Sequence, residues 1–477
     1  MVDNKSYFWW LNFGALFLSV LFFFERIPSF ETALGPIRLS HVLVPFLIVL
    51  ITIGLYQKRS QIQSLKIPLE LICLAVFVLT GVLSFFNITN LARFYSASLG
   101  LFLCFGSTIL LSVIKLDYQK LIRLYFWLFV ALIIFSFYQF AGDMLGLPSL
   151  VTGVKDIFQK NVFGTPRIHG TYNEPAYFAN ALFLGIFLFL FLPLSKINLI
   201  TSFKSSNKFL VFIQKHFNYI SLILSFLCLV LFILSLAKSA WVLLPVIFLI
   251  AVPFLMKFDF FKQFKLLFSG LLFLVILALG LLGVSNSAIL DNIWTQFVGT
   301  FDGQTSTAIE RKSYSAAAFE LINEKAGVIG IGPGQFGTNA RDNIVYHLWP
   351  ANIPINDYVE PFEKPEIFNN YQTDKTITFN VYLEVWLEYG LIPLISLLAL
   401  FISVIGVSIY QTWNLKKTNF TQIQAFQISL TLYLIASLMQ WSFISPVYIS
   451  PIFIALGLLI NINHNNRNNN LSKTVYE

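Results

Sequence analysis

Charge is scarce in this 477-residue chain: 11% of its residues are Asp, Glu, Lys or Arg, against 57% hydrophobic ones. A soluble domain needs far more polar surface, and a mean hydropathy of +0.75 with 52 phenylalanines exceeds what a soluble core can use. Cysteine is scarce too. Cys73, Cys104 and Cys228 are odd in number, fall in apolar runs and lack metal-ligand spacing, which argues against a disulfide framework and a zinc site. Strand-like alternation is missing, so a membrane barrel is not expected, and no internal repeat is found. The first apolar run, Tyr7 to Phe24, has no small-residue cleavage site; Glu25-Arg26 follows, so it is expected to be a retained helix.

What is present is a series of apolar runs, each of about 20 residues, the length a helix needs to cross roughly 30 Å of hydrocarbon with its backbone satisfied. Twelve spans are expected, at about 7–24, 37–56, 68–86, 94–114, 122–141, 175–194, 217–236, 240–256, 266–285, 379–410, 424–443 and 446–462. The fold class is thus all-α, polytopic integral membrane protein. With the N-terminus inside, the inner loops collect Lys58, Arg59, Lys66, Lys115, Lys120, Arg123, Lys196, Lys204, Lys208 and Lys215. Lys257, Lys262, Lys265, Lys416 and Lys417 join them, leaving the inner face net positive and the outer face net negative. That is the positive-inside pattern, so both termini are expected in the cytoplasm. It also accounts for the net charge of +8 without nucleic acid as a partner.

The expected organisation is helices one to nine over 1–285, with an external loop at about 142–174. A large external loop at 286–378, helices ten to twelve over 379–462, and a disordered Asn-rich tail at 463–477 follow. Loops as long as 286–378 are usually ordered or functional. This one is expected to hold a helix from Ala308 to Lys325, then Gly330-Ile-Gly-Pro-Gly-Gln-Phe-Gly337, then a Pro-, Asn- and acid-rich tract to Asp374. The glycine run fits G-x-G-x-x-G by letter but follows no strand, so dinucleotide binding is rejected. A turn that lets backbone approach another segment is expected instead.

Ionisable groups gather at the outer ends of helices. Arg167, His169, Asn173 and Glu174 crowd the turn before Pro175 opens a span. Arg167 is either an interfacial cation or a substrate ligand, and Glu174 either a carboxylate favoured by the helix dipole or a base. Lys238 sits in a nearly loopless outer turn, and Arg311 opens the helix of the large loop. Asn380, Glu384 and Glu388 recur every four residues as one polar stripe, with Glu388 expected to face water. Arg167, Lys238 and Arg311 bring cations from three segments to one face, which suits a lipid diphosphate. Guanidinium forks match phosphate oxygens in pairs and stabilise a leaving diphosphate.

At these residues the chain resembles the O-antigen ligase and O-antigen polymerase superfamily of bacterial envelope glycan enzymes. The likeness rests on Arg167-x-x-Gly170 with Asn173-x-Pro175, on Leu236-Ala-Lys-Ser-Ala-Trp241, and on Arg311 ahead of Gly332-x-Gly334-x-Phe336. It ends with Asn380-x-Tyr-Leu383, six residues before Tyr389-Gly390-Leu. The resemblance implies an integral-membrane glycosyltransferase of about a dozen helices. It would act at the periplasmic face of the inner membrane on an undecaprenyl-diphosphate-linked oligosaccharide, with no cofactor and no metal. Arg167 and Arg311 correspond to arginines thought to hold the diphosphate, and Lys238 stands where an arginine is more usual. Glu174 or Glu384 would be the base. The partners implied are the lipid-linked donor, a glycan or lipid-glycan acceptor, membrane lipids, a flippase and a chain-length regulator. Ligases typically carry a His just before the Asn of the last motif; here that residue is Phe379, which favours a polymerase. A secondary transporter and a noncatalytic envelope scaffold are the competing readings; the crowding of charges at helix ends and the large one-sided loop disfavour the transporter.

Overall fold

The computed structural model describes residues 13–24, 29–32, 35–38, 45–49, 52–53, 56, 69–155, 167–172, 174–195, 212, 215–262, 306–340, 343–344, 378–440 and 451–474. The expected span at 266–285, Asn173 and the tract 345–377 lie outside them. The protein is an all-α polytopic membrane protein. Its helices are α1 (Phe13–Phe23), α2 (Leu69–Leu83), α3 (Leu91–Val113), α4 (Tyr118–Met144), α5 (Pro175–Phe191), α6 (Phe217–Leu234) and α7 (Lys238–Lys257). α8 (Ser306–Lys325), α9 (Val381–Tyr389), α10 (Leu391–Trp413), α11 (Gln422–Gln440) and α12 (Pro451–Thr474) follow, and short helical turns at Ser149–Thr152 and Phe336–Asn339 lie between them among the described residues. A short antiparallel pair, β1 (Ser29–Thr32) and β2 (Gly35–Arg38), is an exception that the sequence pattern did not signal.

Among the described residues seven helices are long and apolar enough to cross a membrane: α3, α4, α5, α6, α7, α10 and α11. These fall on seven of the twelve expected spans. α5 is the centre of the bundle: 94% of its apolar window is buried, against 33% for α10. It packs against α6, α7 and α11, while α12 packs on α3 and α10 on α2. Helix starts follow local chemistry. Asn90 and Asp117 accept hydrogen bonds from the backbone of Arg93 and Lys120 to cap α3 and α4, and Pro175 occupies the first turn of α5, where a missing N–H costs nothing.

Two expectations are corrected. The run 379–410 is not one helix; it breaks at Gly390 (φ +103°), where an added Cβ would lie 2.2 Å from the Val328 carbonyl oxygen. The tail is not disordered through 463–474, because α12 continues to Thr474. Its amides find partners in neighbouring helices: Asn461 donates to the carbonyls of Leu111 and Ile114, both at 2.6 Å, and Asn463 to Val404 at 3.0 Å. The carbonyls at the end of α3 lack intrahelical partners, and Asn461 supplies them.

α5 and α11 run in opposite directions. Phe126 of α4 packs on Phe189 near the end of α5, while the adjacent Tyr125 packs on Phe426 near the start of α11. The end of the bundle where α5 begins and α11 finishes is its site end.

Candidate functional site

The turn from Arg167 to Glu174 is a fixed platform. Gln139 on α4 clamps Gly170 with both ends of its amide, donating to the carbonyl at 3.1 Å and accepting from the N–H at 2.9 Å. Thr171 and Tyr172 donate their hydroxyls to the carbonyls of Phe23 and Phe22 at the end of α1. Gly170 itself has φ +55°, and a Cβ there would meet the Phe178 ring at 2.8 Å. Gly170→Ala is therefore expected to lower stability by roughly 1–3 kcal/mol through strain and overpacking. A thermal unfolding scan of the detergent-solubilised protein checks it; an unchanged midpoint would refute this role for Gly170.

His169, expected as a site candidate, is part of that platform. It is fully buried, its Nδ1 lies 2.8 Å from the Tyr172 carbonyl, and its Nε2 accepts from the Lys155 backbone N–H at 3.3 Å. This pairing requires the neutral ring protonated on Nδ1 and commits both nitrogens to backbone, so the ring has no lone pair left for substrate. Arg167 stands at the platform's edge, half-buried. Burial lowers its pKa, and the nearby Glu174 carboxylate acts in the opposite direction, in favour of the cation. Glu174 is exposed and caps α5 by position without a side-chain hydrogen bond.

The turn between α6 and α7 lies next to this platform. The Ile168 backbone N–H points at the Leu234 carbonyl, a long contact of 3.5 Å. Leu234 ends α6, Leu236 takes φ +51°, and Lys238 is the first residue of α7. Two of the three expected cation-bearing segments are thereby neighbours.

Arg311 has a different support. It is exposed on the first half of α8, with its guanidinium carbon 5.6 Å from the centre of the Phe379 ring. Tyr314, one turn on, stacks against the same ring with centroids 5.5 Å apart. Asn380 caps α9 by accepting from the N–H groups of Tyr382 and Leu383. The Tyr382 hydroxyl donates to the Leu438 carbonyl at 2.7 Å, tying α9 to the site end of α11. Phe379 thus sits at the foot of Arg311, in the strained φ +55° conformation.

The glycine run is a docking loop, in line with the expected close backbone approach. Glu388 accepts from the backbone N–H of Gly334 at 2.7 Å and of Phe336 at 2.9 Å. The backbones of Ile331 and Gly332 donate to the carbonyls of Leu387 and Glu388. Gln335, fully buried, accepts from the N–H groups of Thr89 and Asn90. A Cβ at Gly330 would lie 2.2 Å from the Glu388 carbonyl carbon, so no side chain fits there. The expectation that Glu388 faces water is overturned: it is 4% exposed, and burial pushes its pKa up to about 7 against the lowering effect of the backbone donors. Glu384 is buried as well, at 6% exposure, so the stripe Asn380–Glu384–Glu388 faces protein. Sequence reasoning missed Gln139, Gln335 and the anchoring role of Glu388. Their partners lie far away in the chain, and only the coincidence of a glycine run with a carboxylate on a nearby apolar helix hinted at the last.

A bundle of membrane helices with a hydrogen-bonded platform at one end defines the class: a multi-pass membrane protein. Residues 223–398 match the family described as O-antigen ligase, so this stretch of the chain is similar to that family. The matched stretch carries Lys238, Arg311, the glycine loop and Asn380 to Glu388; the Arg167 platform lies outside it. No curated protein matches the chain.

Proposed function

We propose that the protein transfers a glycan from a polyprenyl-diphosphate carrier to the hydroxyl of an acceptor sugar, at the outer face of the bacterial inner membrane, as a polymerase in preference to a ligase. The observation that carries this reading is the contact of the Arg167 platform with the α6–α7 turn. It puts a half-buried arginine beside the segment that leads to Lys238, within the family-matched region. In the reaction the acceptor oxygen forms a bond to the anomeric carbon, the bond from that carbon to the diphosphate breaks, and the hydroxyl proton passes to a carboxylate. Arg167, Lys238 and Arg311 offset the charge that builds on the leaving lipid diphosphate. Glu174 is a better base than Glu384, since it is exposed at the platform edge while Glu384 is buried. Phe379 supports the polymerase reading: an aromatic ring that carries Arg311 occupies the place of an imidazole.

The test is the banding of envelope polysaccharide in a strain that lacks the protein, complemented with variants. Arg311→Ala is expected to reduce chain growth about a hundredfold with protein level intact. Single repeat units on the normal acceptor would establish a polymerase, and polymer accumulating on its lipid carrier a ligase. Normal polymer from Arg311→Ala would favour a scaffold.

A further inference from the structure

In the half of the bundle remote from the site end, α7 and α10 both pack on α11, and a groove with about 230 Å³ of open space lies among the three helices. Ile250 and Phe254 of α7 form one wall, Ile409 of α10 the other, and Ile428, Leu432 and Ile435 of α11 the floor. Ser408, Thr412 and Thr431 also line it, but their hydroxyl protons are spent. Ser408 donates to the Thr431 hydroxyl at 2.7 Å; Thr431 and Thr412 donate to the carbonyls of Gln427 and Ser408, both at 2.8 Å. Ile250, Ile409 and Ile435 are only half-buried, so the groove is open along its side. From Ile428 to Ile435 it runs about 10 Å along the helix axis, within the roughly 15 Å of hydrocarbon of one leaflet.

The mouth of the groove is cationic. Lys257, the last residue of α7, reaches across to α10, where it donates to the carbonyls of Thr412, at 3.3 Å, and Trp413. Its ammonium lies 5.2 Å from the centre of the Trp413 ring, which in turn packs on Phe254 of the groove wall with centroids 5.8 Å apart. An ammonium has three N–H groups, so two on carbonyls leave one to donate. Just beyond, Lys417 and Lys262 flank Asp259 at 2.5 and 3.9 Å, and Lys416 is exposed. One carboxylate among four lysines leaves this end strongly positive.

We propose that this groove binds an anionic phospholipid, with one acyl chain lying between α7 and α10 and the phosphate on Lys257 and its neighbouring lysines. The groove belongs to the leaflet remote from the site end, so the inference does not rest on the glycan-transfer reading. A soluble phosphate compound would meet the lysines but leave the apolar floor bare, whereas an acyl chain with a charged headgroup covers both. A zwitterionic lipid carries the same phosphate, yet it brings a cation up against the lysines, which favours the anionic one. Seated there, the lipid joins α7 to α10 at the end where Lys257 already bridges them.

The experiment titrates the full chain in detergent with phosphatidylglycerol and with phosphatidylcholine of the same acyl chains, and counts bound lipid by native mass spectrometry. The wild type is expected to hold phosphatidylglycerol about fivefold more tightly or better, the effect of one basic residue near an anionic headgroup. Lys257→Gln and Lys416→Gln should each lower that ratio and leave affinity for phosphatidylcholine unchanged. Lys416 is exposed, so its variant keeps the fold and decides the matter even if Lys257→Gln does not fold. Ile409→Trp, which fills the groove, should weaken both lipids. Equal affinity of the wild type for the two lipids overturns the proposal, as does a ratio that both lysine variants leave unchanged. Unaltered binding of phosphatidylglycerol to Ile409→Trp removes the acyl chain from the groove. Lipid-free dimers of the wild type that Ile409→Trp disrupts would give the groove to a second copy of the chain, which overturns the lipid as occupant.

Discussion

Replacing Arg167 with alanine is expected to lower glycan transfer by a hundredfold or more, with little change in protein level or unfolding temperature. A fixed cation aimed at charge that grows on the leaving group acts mainly in the transition state, and loss of one such group typically costs about 10²–10³ in rate. The fall should therefore appear in kcat more than in KM. Stability is largely spared because other groups hold the backbone of the turn. Gln139, the hydroxyls of Thr171 and Tyr172, and the His169 ring hold its backbone. Arg167→Lys should recover part of the activity, since an ammonium keeps the charge but loses the planar fork. Transfer assayed with a lipid-linked oligosaccharide checks the series. Activity within threefold of wild type for Arg167→Ala would remove this residue from the diphosphate site.

Local signals carried much of the architecture. Apolar runs of sufficient length located the seven long helices, and Pro175, Asn90 and Asp117 marked starts through capping chemistry that depends on near neighbours. The helix in the large loop, expected at 308–325, runs from Ser306 to Lys325. The failures are of another kind. Glu388 belongs to a polar stripe in sequence, yet what it faces is decided by a loop more than fifty residues earlier. Gln335 holds a turn at Thr89 and Asn90, some 245 residues away. His169 looked chemical because a ring with two nitrogens beside an arginine suggests proton transfer; only the carbonyl of Tyr172 and the N–H of Lys155 reveal that both are committed. Similarly, an Asn-rich tail suggests disorder until the open carbonyls at the end of α3 are seen to need those amides. Pairings between distant segments are set by packing, which leaves no local periodicity to read.

Glu388→Ala is expected to be the most damaging change in the docking loop, costing about 3–5 kcal/mol. It strips the acceptor from two backbone N–H groups, Gly334 and Phe336, each worth about 1–3 kcal/mol when buried without a partner. Activity should fall as well, because α8 leads directly into this loop and its anchoring holds Arg311 over Phe379. Glu388→Gln is the sharper probe. Its amide oxygen can accept from one of the two N–H groups, but its NH2 meets the other donor, so a smaller loss of about 1–3 kcal/mol is expected. The two variants also separate charge from shape through pH. The carboxyl of Glu388 is pushed up to about 7 from an ordinary 4.5, so the folded protein holds this proton more tightly than the unfolded chain. Its contribution is fully present below about pH 4.5, declines as pH rises through about 7, and is constant above that; the change is of order 1–3 kcal/mol. The difference in unfolding midpoint between wild type and Glu388→Gln should therefore shrink with rising pH across this window, since the amide does not titrate. A difference that stays constant from pH 4.5 to 8 would mean that the buried carboxylate does not exchange its proton there, and that the N–H groups of the glycine loop, not desolvation, govern its charge.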